Sequence, residues 1–387
     1  MQMEYTDRQR GLRSEVRDWL AMHVPREPLA SFDSPEGFRQ HRRWEATLHT
    51  GRWSCVTWPE EMGGRGLDLI DWLIFEEEYW AAGSPGRVNQ NGVFLLGPAI
   101  MDFGSAAQQR RFLPRIASGE DIWAQGWSEP DAGSDMAAIR CTAVREGDHY
   151  VLNGQKSWVA RAVWADWMFG LFRSEPDSLR HNGLSVMLVP LDLPGVTVQP
   201  IRQLNGLPGM ADVFFDHVRV PVDQRLGAEG EGWHISRAIS SFERGLMLRS
   251  PARFQETARA LVELYRRHRD SADADPAIRD AVLDCWMQAR AYALATYRTA
   301  SRLMSGAPLG PDASANKIFW SELDLRLHET ALRILGDQAE LLPGAPDAAD
   351  AGRWLEGFLF AQAGPIYAGT NEIQRNIVAE RLLCMPR

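Results

Sequence analysis

Apolar residues recur every third or fourth position from the N-terminus to about residue 120. They then alternate with polar ones, and return to the helical spacing after Gly230. A period of 3.6 buries one face of a helix and a period of two buries one face of a strand. The pattern therefore predicts an α+β chain in three parts. These are an all-α N-terminal domain over 1–120, a central antiparallel β-sandwich or barrel over 121–228, and a C-terminal helical domain of four-helix-bundle type over 229–387.

Local signals place the helix starts. Thr6 followed by Gln9 is a capping box, ahead of an apolar face made by Leu12, Val16, Trp19 and Leu20. Ser34 before Pro35 opens a second helix that Gly51 closes, Asp68 opens a third carrying Trp72, Phe75 and Tyr79, and Ser105 with Gln108 starts a fourth. In the middle zone Leu184, Val186 and Leu188 alternate with their neighbours, and turn residues gather at Glu146-Gly147-Asp148, Asn153-Gly154 and Leu193-Pro194-Gly195. Ile278, Val282, Cys285, Ala289 and Tyr292 form the stripe of a bundle helix, and the Pro- and Asp-rich stretch from Leu342 to Asp350 is expected to be a loop.

Composition narrows the function. A net charge of −9 with no basic run argues against a nucleic-acid surface. Only Lys156 and Lys317 are lysine, so arginine carries almost all the positive charge, and arginine suits bidentate phosphate contacts. The four cysteines are far apart with no CxxC pair, so neither a metal site nor a disulfide framework is expected. The N-terminus lacks the apolar core of a secretory signal, and the longest apolar run, Gly92 to Met101, is too short to cross a bilayer. A cytoplasmic enzyme without membrane contact is expected. No G-x-G-x-x-G follows a strand, no P-loop lysine is present, His328-Glu329 lacks a second histidine at helical spacing, and there is no G-x-S-x-G elbow.

Three segments carry chemistry. Gln125-Gly126-Trp127-Ser128-Glu129-Pro130-Asp131-Ala132-Gly133-Ser134-Asp135 leaves a strand and turns sharply, offering N–H groups and two hydroxyls to a flat polar heterocycle. An Asx-type turn with caps is the plainer reading of the same residues. Leu152-Asn153-Gly154-Gln155-Lys156-Ser157-Trp158 lies across a hairpin, where Trp158 either stacks on a planar cofactor or fills core, as many of the 15 tryptophans must. In Pro365-Ile366-Tyr367-Ala368-Gly369-Thr370-Asn371-Glu372-Ile373-Gln374-Arg375 the Gly-Thr pair begins a helix whose free N–H groups suit a phosphate or carbonyl. Glu76-Glu77-Glu78 reads as a solvated helix face, and Arg249 with Arg253 as a surface pair or a phosphate contact.

With VFFDHVRVP at 213–221, these segments (WSEPDAGSD, LNGQKSW and IYAGTNEIQR) resemble the acyl-CoA dehydrogenase family, in order and with its spacing over essentially the whole chain. The resemblance implies a flavoenzyme that binds FAD and oxidises an acyl-CoA or acyl-carrier-protein thioester to a trans-2-enoyl product. It also implies electron-transfer flavoprotein as acceptor and a homo- or heterotetramer, with a dimer also open. By motif position Gln125, Trp127 and Ser128 would meet the flavin ring edge, and Trp158 would lie over the ring. Ser134 would face pantetheine or cofactor, and Gly369, Thr370 and Glu372 would hold diphosphate and ribose.

Many members carry the catalytic base immediately before the Gly-Thr pair, where this chain has Ala368. Others place it on an earlier helix before an arginine. The resemblance there assigns Glu243 as the base that takes the α-proton while a hydride leaves for flavin N5, with Arg244 orienting it. A surface Glu-Arg pair is the plainer alternative. Members usually have Thr or Ser two residues after the stacking Trp, whereas Ala160 here leaves only backbone. That loss admits two other readings, a flavin-poor partner subunit of a heterotetramer and a flavin monooxygenase on the same fold.

Overall fold

The computed structural model describes residues 4–244, 250–269, 275–307 and 309–386, with backbone alone for 242–244. In chain order its main elements are α1 (Asp7–His23), α2 (Pro35–Thr50), α3 (Leu69–Ala81), α4 (Gly97–Phe103), α5 (Ala106–Ser118) and β1 (Trp123–Gly126). The strands continue with β2 (Thr142–Glu146), β3 (His149–Ala160), β4 (Trp167–Arg173), β5 (Leu184–Pro190), β6 (Val196–Ile201), β7 (Met210–Pro221) and β8 (Arg225–Leu226). Helices return as α6 (Gly232–Arg244), α7 (Pro251–Arg267), α8 (Pro276–Met304), α9 (Asp312–Leu335), α10 (Arg353–Ala361) and α11 (Asn371–Ile377). The helical, β, helical order is the one the hydrophobic period predicts.

The caps form as read. Thr6 and Gln9 exchange hydrogen bonds, at 3.0 Å from Thr6 N to Gln9 Oε1 and 3.2 Å from Gln9 N to Thr6 Oγ1. Ser34 caps α2, and Asp68 with Asp71 and Ser105 with Gln108 close full capping boxes on α3 and α5. Each satisfies N–H groups that a helix start leaves orphaned.

Compactness cuts across the three sequence zones. One unit gathers Met1–Met22, Asp68–Ser84 and Arg244–Arg387, and the other His23–Leu67 and Pro85–Glu243. In the first, α3 packs on α7 and α8. The core there joins Phe254, Leu261, Val282, Cys285, Tyr292, Trp320, Leu327 and Trp354, including the expected α8 stripe. The acidic run on α3 differs from the expected solvated face. Glu76 and Glu78 are buried, and Arg13 and Arg17 of α1 reach Glu78 at 3.0 and 2.9 Å. Arg13 also pairs with Glu77 at 2.5 Å, while Arg8 grips Asp71 with two bonds of 2.8 Å. For Asp71 and Glu78 the reason is non-local, since arginines spaced along α1 supply the charges that let them be buried, while Glu76 accepts from Trp80 Nε1 of α3 at 3.0 Å.

The second unit is built on one sheet path, β6-β7-β3-β2-β4-β5-β8, with β1 paired to β4. Most pairs are antiparallel, as expected, but β1 runs parallel to β4, with Gln125 opposite Phe169. β3 and β7 pair along most of their length, with a register shift between Lys156 and Val159 that bends the strand next to Trp158.

Candidate functional site

The sequence-predicted residues fall into two groups, one in each unit. In the sheet unit, β1 delivers Gln125 and the turn that follows it. Glu129 and Ala132 exchange backbone bonds of 3.0 and 3.1 Å across the turn, so part of its N–H supply is consumed internally. The Glu129 carboxylate also accepts from the N–H groups of Arg140 and Cys141, at 2.6 and 3.0 Å. This part of the motif is thus a backbone-closed turn, and Asp135, which precedes its short 3-10 helix, makes no side-chain cap.

In the other half, two side-chain donors stay unengaged. Gln125 Nε2 and Trp127 Nε1 are buried with no hydrogen-bond partner among the described residues. Buried donors are usually paired, and these two lie two residues apart in one segment. Ser134 is exposed in the same turn.

The second motif is tied to the first. Ser157 N donates to Ser128 O at 2.8 Å. Lys156, wholly buried, donates from Nζ to Glu129 Oε1 at 2.8 Å. Burial acts to raise the Glu129 carboxyl, but the ammonium and the hydrogen bonds from Lys156, Arg140 and Cys141 outweigh it and hold it below the usual carboxylate range. On this anchored strand Trp158 takes a left-handed backbone with φ 60 and stands 65% exposed. Four other tryptophans, Trp53, Trp72, Trp123 and Trp354, are among the largest fully buried side chains. Trp158 is therefore not core, and the bulge at that point is the physical cause. Ala160, the last residue of β3, pairs with Met210.

In the helical unit, Ala368 and Gly369 are both left-handed, with φ 57 and 79. Gln374 Nε2 donates back to Ala368 O at 3.0 Å and Gly369 O at 3.3 Å. A Cβ on Gly369 would lie 2.4 Å from that nitrogen, so the position has both the backbone and the space of a glycine. Thr370 caps α11 through its side chain, which accepts from Ile373 N at 3.3 Å. Lys317 is buried and donates to Asn371 Oδ1 at 2.8 Å. Glu372 is exposed, its carboxyl lowered by its own N–H and by Thr370. Glu243 and Arg244 lie at the end of α6, and their side chains are outside the described residues.

Sequence reasoning singled out the motif segments but missed what rigidifies them. The chain's two lysines are both buried, and each fastens one motif loop, Lys156 the 125–135 turn and Lys317 the 369–372 loop. Their rarity in an arginine-rich chain was the available signal, because a compact ammonium suits a closed site that a guanidinium fork would overfill.

The helical, β, helical chain falls in a known class. Family models for acyl-CoA dehydrogenase match the N-terminal domain over residues 6–120, the middle domain over 124–218 and the C-terminal domain over 230–383. The chain belongs to the acyl-CoA dehydrogenase family and is an oxidoreductase. Among its relatives, the acyl-CoA dehydrogenase IpdE1 of Mycobacterium tuberculosis is 41% identical over 97% of each chain. Among solved structures, a Tcur3481–Tcur3483 steroid acyl-CoA dehydrogenase (ACAD) matches with a TM-score of 0.89 at 28% identity, covering 100% of both chains. The ChsE4–ChsE5 complex of M. tuberculosis matches with a TM-score of 0.84 at 32% identity, also covering 100% of both. No helix among the described residues is long and apolar enough to cross a membrane.

Proposed function

We propose that this chain is an FAD-dependent dehydrogenase that converts an acyl-CoA thioester, with a steroid-derived acyl group, to its trans-2-enoyl form. The observation that carries the reading is the pair of orphaned donors, Gln125 Nε2 and Trp127 Nε1, on the segment bonded to the strand of Trp158. An isoalloxazine offers the acceptors along one edge that these donors lack, and a face for the exposed indole.

The α-proton of a thioester is weakly acidic, so its removal needs a positioned base of raised basicity. We assign that role to Glu243, because a carboxylate brought beside an apolar acyl group is desolvated and more basic than in water. Arg244 orients it. Bound FAD supplies the acceptor for the β-hydride. Gln125, Trp127 and Ser128 would hold the ring edge and Trp158 would cover one face. Ala160 would offer only backbone, Ser134 would meet the pantetheine or the cofactor, and Gly369, Thr370 and Glu372 would take the diphosphate and ribose.

The steroid-derived acyl group is supported by the related steroid acyl-CoA dehydrogenase structure, and CoA as carrier by the relatives' names. The assembly is a tetramer with an electron-transfer flavoprotein as acceptor. Leu283, Trp286, Met287 and Leu294 stand exposed at helical spacing on α8, an apolar stripe that a second chain would cover. A second reading, a partner subunit in a heteromeric enzyme, is favoured by Ala160 and by the two-chain complexes among the matches.

Anaerobic titration of the purified yellow protein with acyl-CoAs decides between them. Bleaching of the flavin by a steroid-derived acyl-CoA is the expected result. Protein that is colourless alone and yellow only when co-expressed with a homologous chain would replace the first reading with the second.

A further inference from the structure

Arg253, near the start of α7, is held through one nitrogen on a buried carboxylate. Its NH2 donates to both oxygens of Asp324, at 3.1 and 3.0 Å, and no other side-chain hydrogen bond engages it among the described residues. Arg8 with Asp71 and Arg115 with Asp121 show what a purely structural pair looks like here, two nitrogens on two oxygens with every bond at 2.8 Å. Fork-to-fork pairing is the stronger arrangement, and Arg253 forgoes it, leaving Nε and NH1 without a hydrogen bond to the described residues.

The surroundings are apolar and mostly closed. The guanidinium carbon lies 5.0 Å from the Phe254 ring centroid and 5.9 Å from that of Phe360. The Arg253 side chain is 22% exposed and that of Asp324 only 1%. Tyr367 is near enough to act on the charge of Arg253, and its ring stacks on Trp320 at 5.9 Å. Tyr367 directly precedes Ala368, so this cluster adjoins the loop in which many family members carry their base.

We infer that Arg253 is a specificity-determining residue that offers its free edge to a neutral acceptor oxygen, a ketone or hydroxyl, on the acyl group. The inference rests on the dehydrogenase reading and deepens it. Asp324 already neutralises the guanidinium, so the pair presents a polarised donor without net charge. A carboxylate bound there would leave an unbalanced buried charge, whereas a neutral oxygen would not. His328 adds no cation, since burial lowers its pKa and its Nδ1 is 2.8 Å from Asp324 O. The exposed ring of Phe360 and the partly buried Tyr367 beside one oriented donor suit a rigid ring system bearing a single oxygen.

The test compares kcat/KM for three acyl-CoAs of equal carbon count, one with a distal ketone, one with a distal carboxylate and one hydrocarbon. Arg253→Lys keeps the charge opposite Asp324 but loses the planar fork. The double variant Arg253→Gln, Asp324→Asn makes the pair neutral and guards against misfolding of the single variant. The unsubstituted enzyme is expected to prefer the ketone over both others. In each variant the ketone-to-hydrocarbon ratio is expected to fall about ten- to a hundredfold, carried mainly by KM. An unchanged ratio, a parallel fall for all three substrates, or a preference for the carboxylate overturns the assignment while leaving the dehydrogenase reading intact. Failure of every acyl-CoA to reduce the flavin of the unsubstituted enzyme overturns both.

Discussion

Lys156 Nζ lies 2.8 Å from Glu129 Oε1, and the pair joins two motifs that sequence separates by 27 residues. Lys156 is wholly buried and Glu129 nearly so. Removing one member of such a pair strands the other charge. Lys156→Met is therefore expected to destabilise the sheet unit by about 3–5 kcal/mol and to lower cofactor content. The double variant Lys156→Met, Glu129→Gln is expected to recover part of that loss. Urea unfolding of the single and double variants, each with flavin content measured, checks both statements.

The same carboxylate gives the enzyme an acid limit. The folded pKa of Glu129 is depressed, so its contribution is fully present above the unfolded value and is lost as pH falls through the folded one. Stability is expected to decline from the ordinary carboxylate range, about pH 4, downward. Unfolding free energies measured from pH 7 to pH 3 are expected to show a shallower acid slope in Glu129→Gln than in the unsubstituted chain. Parallel slopes would remove the pair from the account.

Trp158 is expected to separate stability from cofactor binding. Its side chain is 65% exposed and its φ is 60, so the fold gains little from the indole and bears some backbone strain. Trp158→Gly is expected to leave the melting temperature unchanged or raise it slightly, with stability shifting by no more than about 1 kcal/mol. FAD affinity, by contrast, is expected to drop tenfold or more. Flavin fluorescence titration of the apoprotein, beside a thermal melt, measures the two effects independently.

Gly369→Ala should behave differently. The added Cβ meets the amide that fastens Ala368 and Gly369, on a backbone at φ 79. A cost of about 1–2 kcal/mol is expected, together with weaker FAD retention on gel filtration.

What sequence revealed and what it hid divide along the range of the interactions. Caps at Thr6, Ser34, Asp68 and Ser105 involve bonds within three residues and were legible. The stripe on α8 was legible because one helix carries it. The parallel pairing of β1 with β4 spans 44 residues and no local pattern encodes it. The acids of α3 looked solvated because their arginines sit on α1, over 60 residues away. Trp158 was undecidable from composition, since the deciding feature is a bulge that turns one indole outward. Arg253 looked like a surface cation because its partner Asp324 lies 71 residues on.

The assignment of Glu243 is the central chemical claim, and stopped-flow reduction of the Glu243→Gln enzyme by its best acyl-CoA tests it most directly. The variant is expected to retain FAD and bind the thioester while its reduction rate falls by about three orders of magnitude or more, the scale of a lost general base. Flavin reduced at the unsubstituted rate would place the base elsewhere and contradict the mechanism.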